Sequence, residues 1–220
     1  MCAPHRRSSR LRLRGVQGAL PAPPERARVE NPRRPYDIES ITDVALRVFA
    51  QRGFDAASMD DVARAAGISK AAIYHHVTSK EALLERGLQR ALGVLFEVLD
   101  EPASLSGRAV DRLRHIVRRV AELAVAVLPE LTVLVRVRGN SATERAAIER
   151  RRAFDAAVAA VVREAQAAGD VAPAFDAALV TRLIFGMCNS IVEWYRPGGA
   201  ISQAELADAV SALVFAGLLT

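Results

Sequence analysis

Two lysines, two histidines and a tyrosine lie close together in SMDDVARAAGISKAAIYHHVTSKEALL, residues 58–84. Lys70 and His75 can meet a phosphate or a base edge, and Ala71 and Ala72 are small enough to touch a thymine methyl group. Helices opening at Ser69 and Ser79 would aim unpaired backbone amides at phosphates. Only Lys70 and His75 are polar enough to read bases here, so direct readout is sparse. Thr42 and Arg64 are outlying candidates, and His76 is expected to pack inside.

These side chains need a scaffold, and the same stretch specifies one. Ser58 is an N-cap, and Asp61 brings a carboxylate near the unpaired amides of the first turn. Val62, Ala63 and Ala66 share one apolar face. Gly67 ends that helix where positive φ is required. Ser69 caps a second helix, Lys70 to about His76, and small Ala63 faces the β-branched Ile73 where the two would cross. Thr78 and Glu81 fit a capping box for a third helix. A plain helical hairpin is the alternative. The caps, turn glycine and crossing residue in register favour a helix-turn-helix, whose second helix enters the DNA major groove.

With the helix before it, ITDVALRVFAQRGFDAASMDDVARAAGISKAAIYHHVTSKEALLERGL resembles, over about 48 residues without a gap, the DNA-binding domain of the TetR family of bacterial transcription regulators. The likeness rests on Ala45, Phe49, Gly53-Phe54, Ser58, Val62-Ala63, Ala66-Gly67-Ile68-Ser69, Tyr74, His76, Lys80 and Leu83. It departs at Ala71 and Ala72, where the family often has Gly and a hydroxyl residue, and at Val77, where Phe is usual. The resemblance implies that Tyr74, Lys80 and Ser69 contact phosphates. It also implies a palindromic double-stranded operator, and an effector site in the helices behind the head.

Composition limits the other readings. No run of 18 apolar residues implies a membrane span, and the arginine-rich start holds no continuous apolar segment of a secretory signal. Cys2 and Cys188 make no disulfide framework, and no Cys/His cluster suggests a metal, so a reducing cytoplasm is expected and no cofactor. Residues 1–36 carry nine arginines and two acids; the remaining 184 residues carry 21 basic and 23 acidic side chains. The high pI of 9.8 therefore belongs to the N-terminal segment. Residues 1–36, with six prolines, read as a disordered basic arm able to follow phosphates or a minor groove, or as residues added by an upstream start.

The body reads as all-α. A DNA-binding domain spans 37–83, its first helix Tyr36 to Arg52. A ligand-binding and dimerisation domain spans 84–220. Helices are expected over Lys80 to about Asp100, 105–127, 130–138, 143–168 with Thr143 as cap, 176–195 capped by Asp176, and a last one opened by the Ser202/Glu205 box. Leu183, Met187 and Ile191 on the penultimate helix, and Leu206, Val210, Leu213 and Val214 on the last, would pair across a two-fold axis into a four-helix bundle. Such a homodimer would set two reading heads about 34–36 Å apart.

An apolar effector pocket would draw on Phe96, Leu99, Leu113, His115, Ile116, Val120, Leu134, Val137, Phe154, Val158, Phe185 and Trp194. The segment FGMCNSIVEWYRPGGAISQAELADAVSALVFAGL resembles a TetR subgroup tied to lipid, steroid and aromatic-acid catabolism, several of whose members respond to acyl-CoA thioesters. The match rests on Gly186, Asn189, Trp194-Tyr195-Arg196-Pro197, Gly199 and Gly217-Leu218. For a CoA ligand, Arg136, Arg138 and Arg182 are candidate phosphate partners. The expected protein is a ligand-responsive homodimeric repressor. The alternatives are a helical small-molecule-binding protein whose head has lost DNA binding, or a helical-bundle enzyme. No paired carboxylates or nucleophile–base spacing support the enzyme.

Overall fold

The computed structural model describes residues 36–218; the arm expected at 1–36 lies, but for Tyr36, outside them. The fold is all-α. Among the described residues the helices run α1 (Ile38–Arg52), α2 (Met59–Ala66), α3 (Lys70–Tyr74), α4 (Lys80–Asp100), α5 (Pro102–Leu105), α6 (Ala109–Ala126), α7 (Leu128–Arg136), α8 (Ala142–Ala167), α9 (Ala177–Trp194) and α10 (Gln203–Ala216).

The head forms as its caps dictate. Asp37, rather than Tyr36, opens α1: its carboxylate accepts from Ser40 N, and the Ser40 hydroxyl accepts from Asp37 N. Ser58 and Asp61 cap α2 in the same reciprocal way. Gly67 at φ 70° closes α2, with Gly67 N donating to Arg64 O and Ile68 N to Ala63 O. Those two bonds satisfy carbonyls the helix would otherwise leave open. Phe49 meets Phe54 edge-on at 5.2 Å, and Ile41, Leu46, Val62 and Ile73 are fully buried beneath the three helices. Burying each such side chain is worth about 1.5–3 kcal/mol.

The 21 residues of α4 span about 30 Å. It packs on α1, α6, α7 and α8 and so joins head to body. At Gly87 its backbone lies so close to α1 that a Cβ would sit 2.2 Å from Leu46 Cδ2. In the body α8 lies against α4, α6 and α9, while α10 docks chiefly along α6. Arg114 stacks over the Phe215 ring at 4.4 Å, Arg118 pairs with Asp208, and Gln203 Nε2 donates to Glu122 O at 3.0 Å.

Several expected boundaries move. The α4 cap is Ser79, whose hydroxyl accepts from Ala82 N at 3.1 Å; Glu81 then falls at the second helical position, still favourable to the helix dipole. The α8 cap is Ser141 rather than Thr143. Glu144, at the position that completes a capping box, turns back instead to accept from the amides of Arg138, Gly139 and Asn140 at 2.8–3.1 Å. Burial alone would raise its pKa, but those amides hold it below the ordinary value. α3 stops at Tyr74, leaving His76 exposed rather than packed inside. The short α5 fills the expected break, so α6 starts at Ala109.

Candidate DNA-binding face and effector cavity

Ser69 caps α3 by accepting from Ala72 N at 3.1 Å, and buried Ile73 fixes the helix from below. This leaves Ser69, Lys70, Ala71, Tyr74 and His75 on the exposed side, with Ala72 half-buried. Tyr74 is 47% exposed, an apolar ring with a hydroxyl standing free of the head. Lys70 Nζ donates to Asp60 Oδ2 at 2.9 Å, and that bond raises the lysine pKa. Lys80 is turned inward. Its ammonium donates to Phe54 O at 2.8 Å and Ala57 O at 2.9 Å, and lies 4.2 Å from the Phe54 ring centre. It ties the α1–α2 connection to the start of α4 and has one N–H left over.

The other head cations are also engaged. Arg52 and Arg64 both pair with Asp61, at 2.8 and 3.1 Å. The Ser58 hydroxyl and amide, reinforced by Arg52, hold the Asp61 pKa at about 2. Arg86 pairs with Glu39, and Arg90 with Asp43 at 2.7 Å and Glu130 at 3.3 Å. Among the described residues of the head, Arg47 alone has no such partner. Thr42, an outlying candidate for DNA contact, is fully buried and donates to Ile38 O. The role of Asp60 and Asp61 in holding cations was missed: Asp61 reads only as a first-turn acid, and no local pattern marks Asp60.

In the body, α4, α6, α7, α8 and α9 enclose a cavity of about 320 Å³. Of the residues expected there, Val120, Leu134, Phe154 and Phe185 line it, and Phe96 meets Phe154 edge-on at 5.8 Å. The other expected residues lie elsewhere. Leu113, Ile116 and Val158 are solid core, and Leu99 packs half-buried against it. Val137 lines a separate cleft beside the α1–α2 connection, with Arg138. Trp194 is half exposed against Tyr195. His115 bonds to Glu101 Oε2 at 2.5 Å; burial would raise that carboxyl, but His115 and Arg119 hold it below its usual range.

The cavity also has a polar side. Arg151, Arg152 and Asp155 of α8 line it, with Arg182 and Asn189 of α9. Of the three arginines named as phosphate candidates, Arg182 is the one in this wall. Arg136 instead grips Glu193 at 2.9 Å and donates to Ala50 O at 2.6 Å. The arginines of α8 were missed because a charged run on a long helix reads as a solvated face. Burial pushes the Cys188 thiol up to about 12, so it stays an inert thiol in the wall.

The expected dimer residues divide into two groups. Leu183 (66%) and Leu213 (67%) are exposed, and Met187 and Val214 join them along one apolar groove with Leu179 and Phe175. Ile191, Leu206 and Val210 are buried within the chain instead. α10 packs chiefly against α6, and α9, which carries Ile191, packs against α6, α7 and α8.

The fold and head define a DNA-binding transcription regulator, and comparison with known proteins gives the family. Residues 41–86 match the family described as bacterial regulatory proteins, tetR family, and residues 106–218 match a tetracyclin repressor-like C-terminal domain. The chain belongs to the TetR family of transcriptional regulators. It is 29% identical over 188 residues to the HTH-type transcriptional repressor KstR2 of Mycolicibacterium smegmatis, covering 82% of this chain and 89% of that protein. The crystal structure of a TetR-family member from Streptomyces coelicolor is 52% identical, with a TM-score of 0.76 over 84% of this chain and 94% of that one. The structure of AibR in complex with isovaleryl coenzyme A and operator DNA shares the fold at 23% identity, with a TM-score of 0.71 over 80% of this chain and 97% of that one.

Proposed function

We propose that the chain is a homodimeric repressor released from a palindromic operator by a small amphiphilic effector, an acyl-CoA thioester being the leading candidate class. One observation carries the reading. The cavity is apolar on the α4, α6 and α7 sides and arginine-bearing on the α8 and α9 sides, and Leu95 of α4 is part of its wall. α4 begins at Lys80, and five residues separate it from the end of the recognition helix at Tyr74. A ligand that repacks Leu95 therefore acts on the helix that carries the head. An acyl chain suits the apolar walls, and Arg151, Arg152 and Arg182 suit the phosphates of a CoA moiety. Two relatives support the same direction: KstR2 is named a repressor, and AibR was crystallised with isovaleryl coenzyme A and operator DNA.

The division of labour follows: residues 37–83 read DNA, and residues 84–220 bind effector and partner subunit. Tyr74, Ser69, Lys70 and His75 supply the DNA contacts, with the amides of the α3 N-terminus. The apolar groove of α9 and α10 faces the second copy. A thermal-shift screen of CoA thioesters, followed by operator-release assays on each hit, tests the effector; no shift with any thioester rejects that class. Tyr74→Ala should weaken binding to every duplex alike and lower the salt slope, since phosphate contacts carry no sequence information. Unchanged affinity in a mobility-shift titration would reject the α3 assignment. The second reading, a binding protein without DNA affinity, draws on the engagement of the head cations. It predicts no salt-dependent binding to the DNA upstream of the chain's own gene.

A further inference from the structure

Asp155 is the one acid in the wall of the cavity. It stands one helical turn after Arg151 on α8, with Arg182 of α9 as its other cationic neighbour. Among the described residues neither arginine closes an ion pair on it, and no protein group donates a hydrogen bond to its carboxylate, which stays open to solvent. Arg151 spends an N–H on Leu134 O at 3.2 Å, and the adjacent Arg152 pairs outward with Glu149 at 2.8 Å. An ionised carboxylate that is half-buried and without a hydrogen bond is costly, and it is tolerated here through the field of the two arginines. Burial raises the Asp155 pKa, and Arg151 and Arg182 work against that rise.

An anion entering this cavity competes with Asp155 for the same guanidinium groups. The rest of the wall offers little other compensation, since Arg152 is paired with Glu149 and Asn189 is neutral. The charged lining groups are Arg151, Arg152 and Asp155 on α8 and Arg182 on α9. Cys188 is a neutral thiol, and α4, α6 and α7 contribute apolar side chains such as Leu95, Val120 and Leu134. We propose that effector binding is proton-coupled at Asp155: the effector's negative group takes over Arg151 and Arg182, and the Asp155 carboxylate takes up a proton from solvent as its counter-charge is withdrawn. Asp155 then disfavours anions in proportion to pH and becomes a hydrogen-bond donor to the one that binds. The proposal rests on the reading of the effector as an anion.

The test compares the full-length chain with Asp155→Asn, which keeps the shape and removes the titration. Calorimetry with octanoyl-CoA and with octanoate, in two buffers of different ionisation enthalpy, counts protons taken up. The unsubstituted chain should take up as much as about one proton per anion, with affinity falling up to about tenfold per pH unit once Asp155 is ionised in the free protein. Asp155→Asn should take up none at this site and bind several-fold tighter near pH 7.5. Equal proton counts in the two proteins, or weaker binding by the variant, would overturn the coupling while leaving an anionic effector in place. Failure of both probes to bind either protein would reject the anionic reading, and the coupling with it.

Discussion

At the scale of single residues, the proposed DNA-binding face is governed by acids as much as by cations. Lys70, the first residue of α3, is bonded to Asp60, which is exposed and takes no part in the α2 cap. Asp60 thus neutralises the recognition helix's own lysine and adds a charge that phosphates repel. Asp60→Asn should free Lys70 without disturbing the fold. Affinity for a random duplex should rise several-fold, and the slope of log affinity against log salt should steepen by about 0.9, the value of one added phosphate contact. Fluorescence anisotropy from 50 to 200 mM salt reads both, and unchanged slope and affinity would show that Lys70 does not meet DNA. Much of this surface was legible in advance. Ser58, Gly67 and Ser69 announce their positions through capping and φ, which are local properties. The pairing of Asp60 with Lys70 and the inward turn of Lys80 depend on how two helices cross, which no local pattern states.

At the scale of elements, the close approach of α4 to α1 decides how rigidly the head is held. Gly87 is the contact point: a methyl group there would overlap the side chain of Leu46, which is itself fully buried. Gly87→Ala should destabilise the fold by about 1–3 kcal/mol, the usual cost of overpacking a filled site, despite alanine's better helix propensity. A denaturant midpoint that is unchanged or raised would mean that Leu46 finds another rotamer at no cost. Helix positions were readable because apolar spacing and stop signals are periodic. The cap errors have one cause: Thr78 beside Ser79, and Ser141 near Thr143, offer equivalent hydroxyls, and only the backbone path selects one. The cavity was half legible for a different reason. Its apolar walls look like any core, and its arginines look like any solvated helix, until α8 and α9 are brought together.

At the scale of the whole molecule, two surfaces carry the proposed contacts with partners. On the apolar groove, Leu183 and Leu213 expose about two-thirds of their area with no function inside the chain. Leu183→Glu should leave the fold of the single chain intact, because the side chain is exposed there, and lower the melting temperature only by what dimerisation contributes. It should convert a dimer to a monomer in sedimentation, because a two-fold interface sets the new charge near its own copy. A variant that remains dimeric would place the interface elsewhere. The second surface is electrostatic. Residues 37–90 hold seven basic and eight acidic side chains. Ion pairs engage five of those cations, and backbone carbonyls hold a sixth, Lys80. We propose that a head this neutral draws charge for DNA from residues 1–36, which carry nine arginines against two acids. The chain enters the head at Tyr36, whose hydroxyl donates to Ala66 O beside the turn between α2 and α3. Replacing Arg26, Arg28, Arg33 and Arg34 by Gln in the full-length chain should therefore flatten the salt slope, by up to about 0.9 for each arginine that met a phosphate. Operator and random duplexes should weaken together, with no change in effector binding or melting temperature. A slope that stays the same would assign all phosphate contacts to the head, and would require the ion pairs at Asp60 and Asp61 to open on DNA.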